Sequence, residues 1–132
     1  MKLLIDTNVF LEVLLEQARA TDAKELLAKT DEHSFFISDF SLHSIGVILL
    51  RRNKADAFRS FLSDMVTNAG TDIALLDADE MHVAIEHATK FNLDFDDAYQ
   101  YAVAEKYDLT IVSFDADFDR TTRGRSEPST IT

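Results

Sequence analysis

The chain has 132 residues, long enough for one domain with a real core and short for two. A hydrophobic fraction of 46% with one proline and three glycines excludes a disordered or linker-rich chain, and the absence of cysteine excludes disulfides, thiolate zinc sites and thiol nucleophiles. Lysine and arginine total 13 against 24 acids, a net charge of −11. That balance argues against a passive nucleic-acid binder and suits a protein that gathers carboxylates around cations or meets a basic partner.

In chain order, Lys2 to Ile5 reads as a first strand, followed directly by Asp6. The stretch NVFLEVLLEQ reads as a helix, and TDAKELLAKT as a second with Thr21 as its N-cap. Phe35 to Ile37 is a second strand, and Ser38 caps the long helix SDFSLHSIGVILLRR, whose Leu42, Ile45 and Leu49 recur at helical spacing. A helix from about Ala55 to Asn68 stops at Gly70. Ile73 to Leu76 is a third strand, and Asp77 with Glu80 forms a capping box for a helix running through His87 to Phe91. The run DDAYQYAVAEKY is a further helix, and Thr110, Ile111 and Val112 form a buried fourth strand. Residues 1–120 are thus expected to form one domain, with 121–132 a polar, loosely held tail. No apolar run approaches the ~18 residues of a membrane span, and no signal-peptide pattern opens the chain, so a cytoplasmic location without membrane contact is expected.

Strands alternating with helices imply a parallel sheet with helices on both faces, in which sites form beyond the carboxyl ends of the strands. Asp6, Asp39, Asp77 and Asp115 all stand at such ends. Asp39 and Asp77 open helices and read as caps, as does Asp94. Asp6 differs, because Thr7 and Asn8 can cap its helix instead. Asp97 lies in the first turns of its helix, and Asp115 and Asp117 follow the last strand, where aspartate often closes a turn. If the first and last strands are parallel neighbours, Asp6 and Asp115 converge. Together Asp6, Asp97, Asp115 and Asp117 would repel one another unless a cation neutralised them, and hard oxygen donors favour Mg²⁺ or Mn²⁺ over zinc. His33, His43, His82 and His87 show no metal-binding pair at i, i+4 and read as surface or boundary residues. No glycine-rich phosphate loop and no Gly-x-Ser-x-Gly elbow is present.

The opening LLIDTNVFLEVLL, the segment LDFDDAYQYAVA and the run TIVSFDADF resemble, in order and spacing, three motifs of the PIN domain family, with the VapC-like toxins the most similar well-known group. The resemblance covers Met1 to about Asp119. It implies a three-layer α/β/α sandwich around a parallel sheet of about four to five strands. It also implies a Mg²⁺- or Mn²⁺-dependent endoribonuclease, often a toxin held by an antitoxin protein. Residue by residue, Asp6, Asp97 and Asp115 match catalytic, metal-binding acids and Asp117 a further, less constant ligand; Asn8 and Ser113 match polar residues that support the first and last ligands.

One position departs from the family pattern. Active members usually carry a glutamate on the helix after the second strand, where this chain has Ser44 with His43 beside it. The alternative to an RNA-cleaving enzyme is therefore a binding or regulatory module with weakened or lost catalysis. A phospho-receiver reading fails because Thr7 follows Asp6 and no lysine follows the last strand. A haloacid-dehalogenase reading fails because its motif should open the chain. The consecutive Val47, Ile48, Leu49 and Leu50 exceed what one helix face buries in its own core, so a homodimer through this helix is expected.

Overall fold

Two apolar strands from opposite ends of the chain, the first and the last, lie side by side in one sheet. The computed structural model describes residues 1–131; Thr132, the end of the expected tail, lies outside the described residues. Four strands, β1 (Lys2–Ile5), β2 (Ser34–Ser38), β3 (Asp72–Ala74) and β4 (Thr110–Val112), form one sheet in the order β3-β2-β1-β4. All three pairings are parallel. Leu3, Leu4 and Ile5 stand opposite Thr110, Ile111 and Val112. The helices are α1 (Thr7–Leu14), α2 (Ala20–Leu27), α3 (Asp39–Arg51), α4 (Ala55–Phe61), α5 (Met81–Phe91) and α6 (Phe95–Tyr107).

The period-2 alternation of the strands sorts side chains between two cores. Leu3, Ile5, Phe35, Ile37 and Val112 pack with Phe10, Leu26, Ile45 and Leu49 of the α1–α3 layer. On the other face Leu4 and Ile111 meet Ala84, Tyr101 and Val103 of α5 and α6. Helices thus cover both faces of a four-stranded parallel sheet, the α/β/α arrangement expected. Among the described residues no helix is long and apolar enough to cross a membrane.

Local chemistry fixes the helix ends. The Ser38 side chain accepts the Ser41 N–H at 3.0 Å and starts α3. Asp77 and Glu80 exchange bonds of 2.8 and 3.0 Å, the reciprocal box expected ahead of α5. Asp94 occupies the cap position of α6, though its side chain makes no capping bond. After Phe61 the helix widens into a π-helical stretch, Leu62–Asn68, and the chain turns out through Gly70 at φ 71°. Gly46 of α3 admits the Phe58 ring of α4, for a Cβ there would stand 2.9 Å from two ring carbons.

Three expectations change. Arg19, not Thr21, sits at the cap position of α2, and Thr21 lies inside the helix without a capping bond. Asp6 itself caps α1, accepting the Thr7 N–H at 2.8 Å. The segment after Arg120 is not loosely held. Ser126 pairs with β4 through its N–H to Ile111 and its carbonyl to the Ser113 N–H, and Ile131 is buried in the core. Its polar side chains concealed a segment held by backbone hydrogen bonds, which any residue but proline can make.

Candidate metal centre

The parallel pairing of β1 with β4 brings Asp6 and Ser113 together just beyond the sheet, 107 residues apart in sequence. Both are buried, and the Ser113 hydroxyl donates to Asp6 Oδ2 at 2.7 Å. Asn8 joins them: its Nδ2 lies 3.3 Å from Asp6 Oδ2 and 3.2 Å from Ser113 Oγ, and its Oδ1 accepts the Phe114 N–H. Ser113 Oγ also accepts the Asp115 N–H at 2.9 Å, which sets the direction in which that aspartate leaves the strand. The Asp115 side chain in turn accepts the Asp117 N–H at 2.8 Å and starts the 3₁₀ turn Ala116–Arg120.

Asp97, in the first turn of α6, meets this strand end from the neighbouring helix. Asp97, Asp115 and Asp117 each offer a carboxylate oxygen, and these oxygens all lie within 4.8 Å of one another. Burial, then the charges of Asp115 and Asp6, push the Asp97 carboxyl up to about 7. Three half-buried carboxylates so close, with oxygen donors alone and neither sulfur nor imidazole among them, are a donor set that fits a hard divalent cation.

Asp6 stands beside this trio but is engaged differently. Its Oδ1 accepts from the Thr7 N–H and from Gln100 Nε2 at 3.0 Å, and its Oδ2 from Asn8 and Ser113. Four donors thus surround one buried carboxylate. Burial still raises its pKa above the ordinary range, against the pull of Gln100 and Ser113.

Gln100 was not singled out from the sequence. It lies one turn along α6 from Asp97, is 1% exposed, and divides its amide between Asp6 and Ser41 Oγ at 2.8 Å. A glutamine inside a helical run carries no sequence signal of its own; the parallel β1–β4 pairing, which aims Asp6 at α6, was the only pointer to it. Ser41 and Thr7 extend the same network, with Thr7 Oγ1 donating to Ser41 Oγ at 2.7 Å.

A cleft of about 300 Å³ opens over the acids, bordered among others by Asp6, Asn8, Phe40, Ser44, Asp97 and Asp115. Ser44 therefore faces the same space as the aspartates, while His43 is exposed and does not border it. Among the described residues no carboxylate from α3 lines this cleft. Asp39, the one acid on that helix, turns toward Tyr99 instead. The arginines after β4 are all engaged. Arg120 reaches Asp117 and the carbonyls of Phe91 and Asn92, Arg123 reaches Asp108, and Arg125 reaches Asp119 and Glu127.

The family model described as PIN domain matches residues 3–124. A comparison with curated proteins gives no match. Among solved structures, the Sarcin-Ricin loop cleaving toxin VapC20 of Mycobacterium tuberculosis is 22% identical, with a TM-score of 0.78 over 96% of this chain and 99% of that one. VapBC2 of Rickettsia felis, bound to a DNA fragment from its promoter, is 15% identical with a TM-score of 0.76, covering 95% and 96%. A toxin-antitoxin complex from Klebsiella pneumoniae is 22% identical with a TM-score of 0.73, covering 97% and 98%. At these identities the likeness carries the fold.

Proposed function

This chain belongs to the PIN domain family, and we propose that it is a divalent-metal-dependent endoribonuclease, the toxin of a toxin–antitoxin pair. The observation that carries the reading is the trio of Asp97, Asp115 and Asp117 oxygens within 4.8 Å, with the buried charge of Asp6 beside them. In this reading Asp97, Asp115 and Asp117 would hold Mg²⁺ or Mn²⁺, and Asp6, which borders the same cleft, would add negative charge beside them. An ion held by these residues would supply Lewis-acid activation of water and charge neutralisation at the phosphate. Asn8, Ser113 and Gln100 keep the Asp6 carboxylate in one orientation, and Ser113 also aims Asp115. Ser44 borders the space where a scissile phosphate would lie and can donate one hydrogen bond there.

The partners follow from the same reading. The substrate is RNA. In this reading an antitoxin protein would dock at the apolar cleft of about 480 Å³ between α1, α2 and α4, lined by Phe10, Leu14, Leu27, Phe61 and Met65 among others. A homodimer uses the end of α3, where Leu50 is 55% exposed.

Thermal melts with millimolar Mn²⁺, paired with cleavage of a single-stranded RNA, test the proposal. The ion should raise the midpoint of the parent by ligand linkage, and less so in Asp97→Asn. Cleavage should require both the ion and Asp97. No shift and no cleavage in the parent would sink the metal-dependent enzyme.

One observation favours the second reading, a PIN module with weakened catalysis: α3 contributes Ser44 and no acid to the cleft. Serine supplies neither negative charge nor a strong base at that place. Under this reading Ser44→Glu tightens Mn²⁺ binding and raises cleavage above the parent. A parent that cleaves well and is unchanged by Ser44→Glu removes it.

A further inference from the structure

Next to the carboxylate cleft lies a second, smaller one of about 220 Å³, lined by Asp39, Phe40, Met81, Phe95, Asp96 and Tyr99. The two adjoin, because Phe40 and Asp96 border both. Three aromatic rings build its wall. Tyr99 is the buried floor, with Phe40 edge-on to it at 6.3 Å and Phe95 tilted against it at 6.3 Å. Phe95 is 48% exposed, so one side of its ring stays open to a stacking partner.

The polar groups of this shelf can only accept. The Tyr99 hydroxyl is spent, donating to Asp39 Oδ1 at 2.7 Å and accepting the Leu76 N–H at 3.0 Å. Asp39 Oδ1 takes the Phe40 N–H as well, while among the described residues nothing donates to its Oδ2. Asp96, also acceptor-only, is exposed.

We propose that the Phe40–Tyr99–Phe95 shelf seats one nucleobase of the RNA strand whose phosphate lies at the carboxylates, and that Asp39 selects guanine there. The proposal rests on the nuclease reading above. A chain of net charge −11, with Arg120, Arg123 and Arg125 all committed to acids or carbonyls, has little counterion release with which to hold RNA. Stacking on an aromatic ring does not need positive charge. The open Asp39 Oδ2 can take both adjacent donors of guanine, N1–H and the N2 amino group, whereas uracil presents a single N3–H flanked by two carbonyl oxygens that a carboxylate repels, and adenine and cytosine offer one amino group each.

The test uses the full chain and fluorescein-labelled hexauridylates carrying one guanosine, one adenosine or none. Binding is read by anisotropy in Ca²⁺ and cleavage in Mn²⁺. The guanosine RNA should bind the parent on the order of 10-fold tighter than hexauridylate. Phe95→Ala should lose on the order of 10-fold on every RNA, and Phe95→Tyr should recover it. Asp39→Asn keeps an oxygen for the Tyr99 hydroxyl but turns an NH₂ toward the base, so overall binding should persist while the guanosine preference disappears. Parent-like affinity and preference in both Phe95→Ala and Asp39→Asn overturns the shelf, as does a parent that binds none of the RNAs. So does a Phe95→Ala that dissociates a dimer in sedimentation while RNA binding is unchanged, since the ring would then serve contact between copies. Guanosine-selective binding without Mn²⁺ cleavage keeps the shelf and sinks the nuclease; cleavage without base preference does the reverse.

Discussion

Two ends of the same sheet edge carry aspartates, and they behave in opposite ways. Beyond β1 and β4, Asp6 and Asp97 are pushed above the ordinary carboxylate range, by burial first and by neighbouring acids as well. Beyond β3, Glu80 is held below it by the Asp77 N–H and by Lys106, whose ammonium lies 2.8 Å away. All three are carboxylic acids near the carboxyl end of the sheet, Asp6 just past β1, Asp97 in the first turn of α6 and Glu80 at the start of α5. What differs is the company: backbone donors and a lysine on one side, three more carboxylates on the other. Asp6 has four donors of its own and is raised by burial all the same, whereas Asp97, among acids, lacks the counter-charge that Glu80 has in Lys106.

That contrast can be broken at its strong end first. Asp97→Asn should lower Mn²⁺-dependent RNA cleavage on the order of 10²-fold, the scale on which a positioned group acts in a transition state, while Asp77→Asn leaves the rate unchanged; equal losses in a gel-based cleavage assay would erase the distinction. Ser113→Ala removes the hydroxyl that donates to Asp6 and accepts the Asp115 N–H, both in the interior. Urea denaturation should show a loss of about 1–3 kcal/mol, because a buried carboxylate is left short of a donor. At the other end, Asp77→Ala should lower stability by only about 1 kcal/mol through loss of the capping box, with metal binding by calorimetry untouched.

The smallest effect is one of sign. With the Asp97 carboxyl raised to about 7, the folded protein holds a proton that the unfolded chain, titrating near the ordinary 3.8, has released. Its contribution therefore favours folding at low pH and is lost as pH rises from about 4 through 7. Metal-free protein in chelator should melt at a lower temperature at pH 8 than at pH 6, and Mn²⁺ should reverse the order. Lys106–Glu80 contributes no such slope between those values. A flat chelator profile in the parent, or the same slope in Asp97→Asn, would reject the assignment.

Much of this was legible in the sequence because it follows from periodicity and position. Apolar runs at Leu3–Ile5 and Ile111–Val112 mark buried parallel strands, and an aspartate just past each one has to emerge at the same sheet end. The Asp77–Glu80 box and the Ser38 cap were readable because local side-chain bonds depend only on spacing. Gln100 was not, since its role depends on α6 crossing behind Asp6, a contact between residues 94 apart. The tail was misjudged for a related reason. Its arginines look like a solvated stretch, yet they clasp Asp108, Asp119 and Glu127, and its backbone pairs with β4. By sequence Thr7 or Asn8 can cap α1 in place of Asp6, but those residues turn to Ser41 and Ser113 instead.

The distance along the chain between Asp6 and Ser113 also has a consequence in time. During synthesis the first strand emerges more than a hundred residues before the last. Non-local parallel pairings of this kind form late, because a long loop has to close before any contact rewards it. Until β4 docks on β1, Asp6 has no Ser113, Asp115 has no fixed direction, and the carboxylates are scattered along an open chain. In a partly made chain these carboxylates are therefore not yet gathered at one place. The cluster comes into being only once the last strand has docked on the first, so its geometry is a property of the whole chain and of no shorter part.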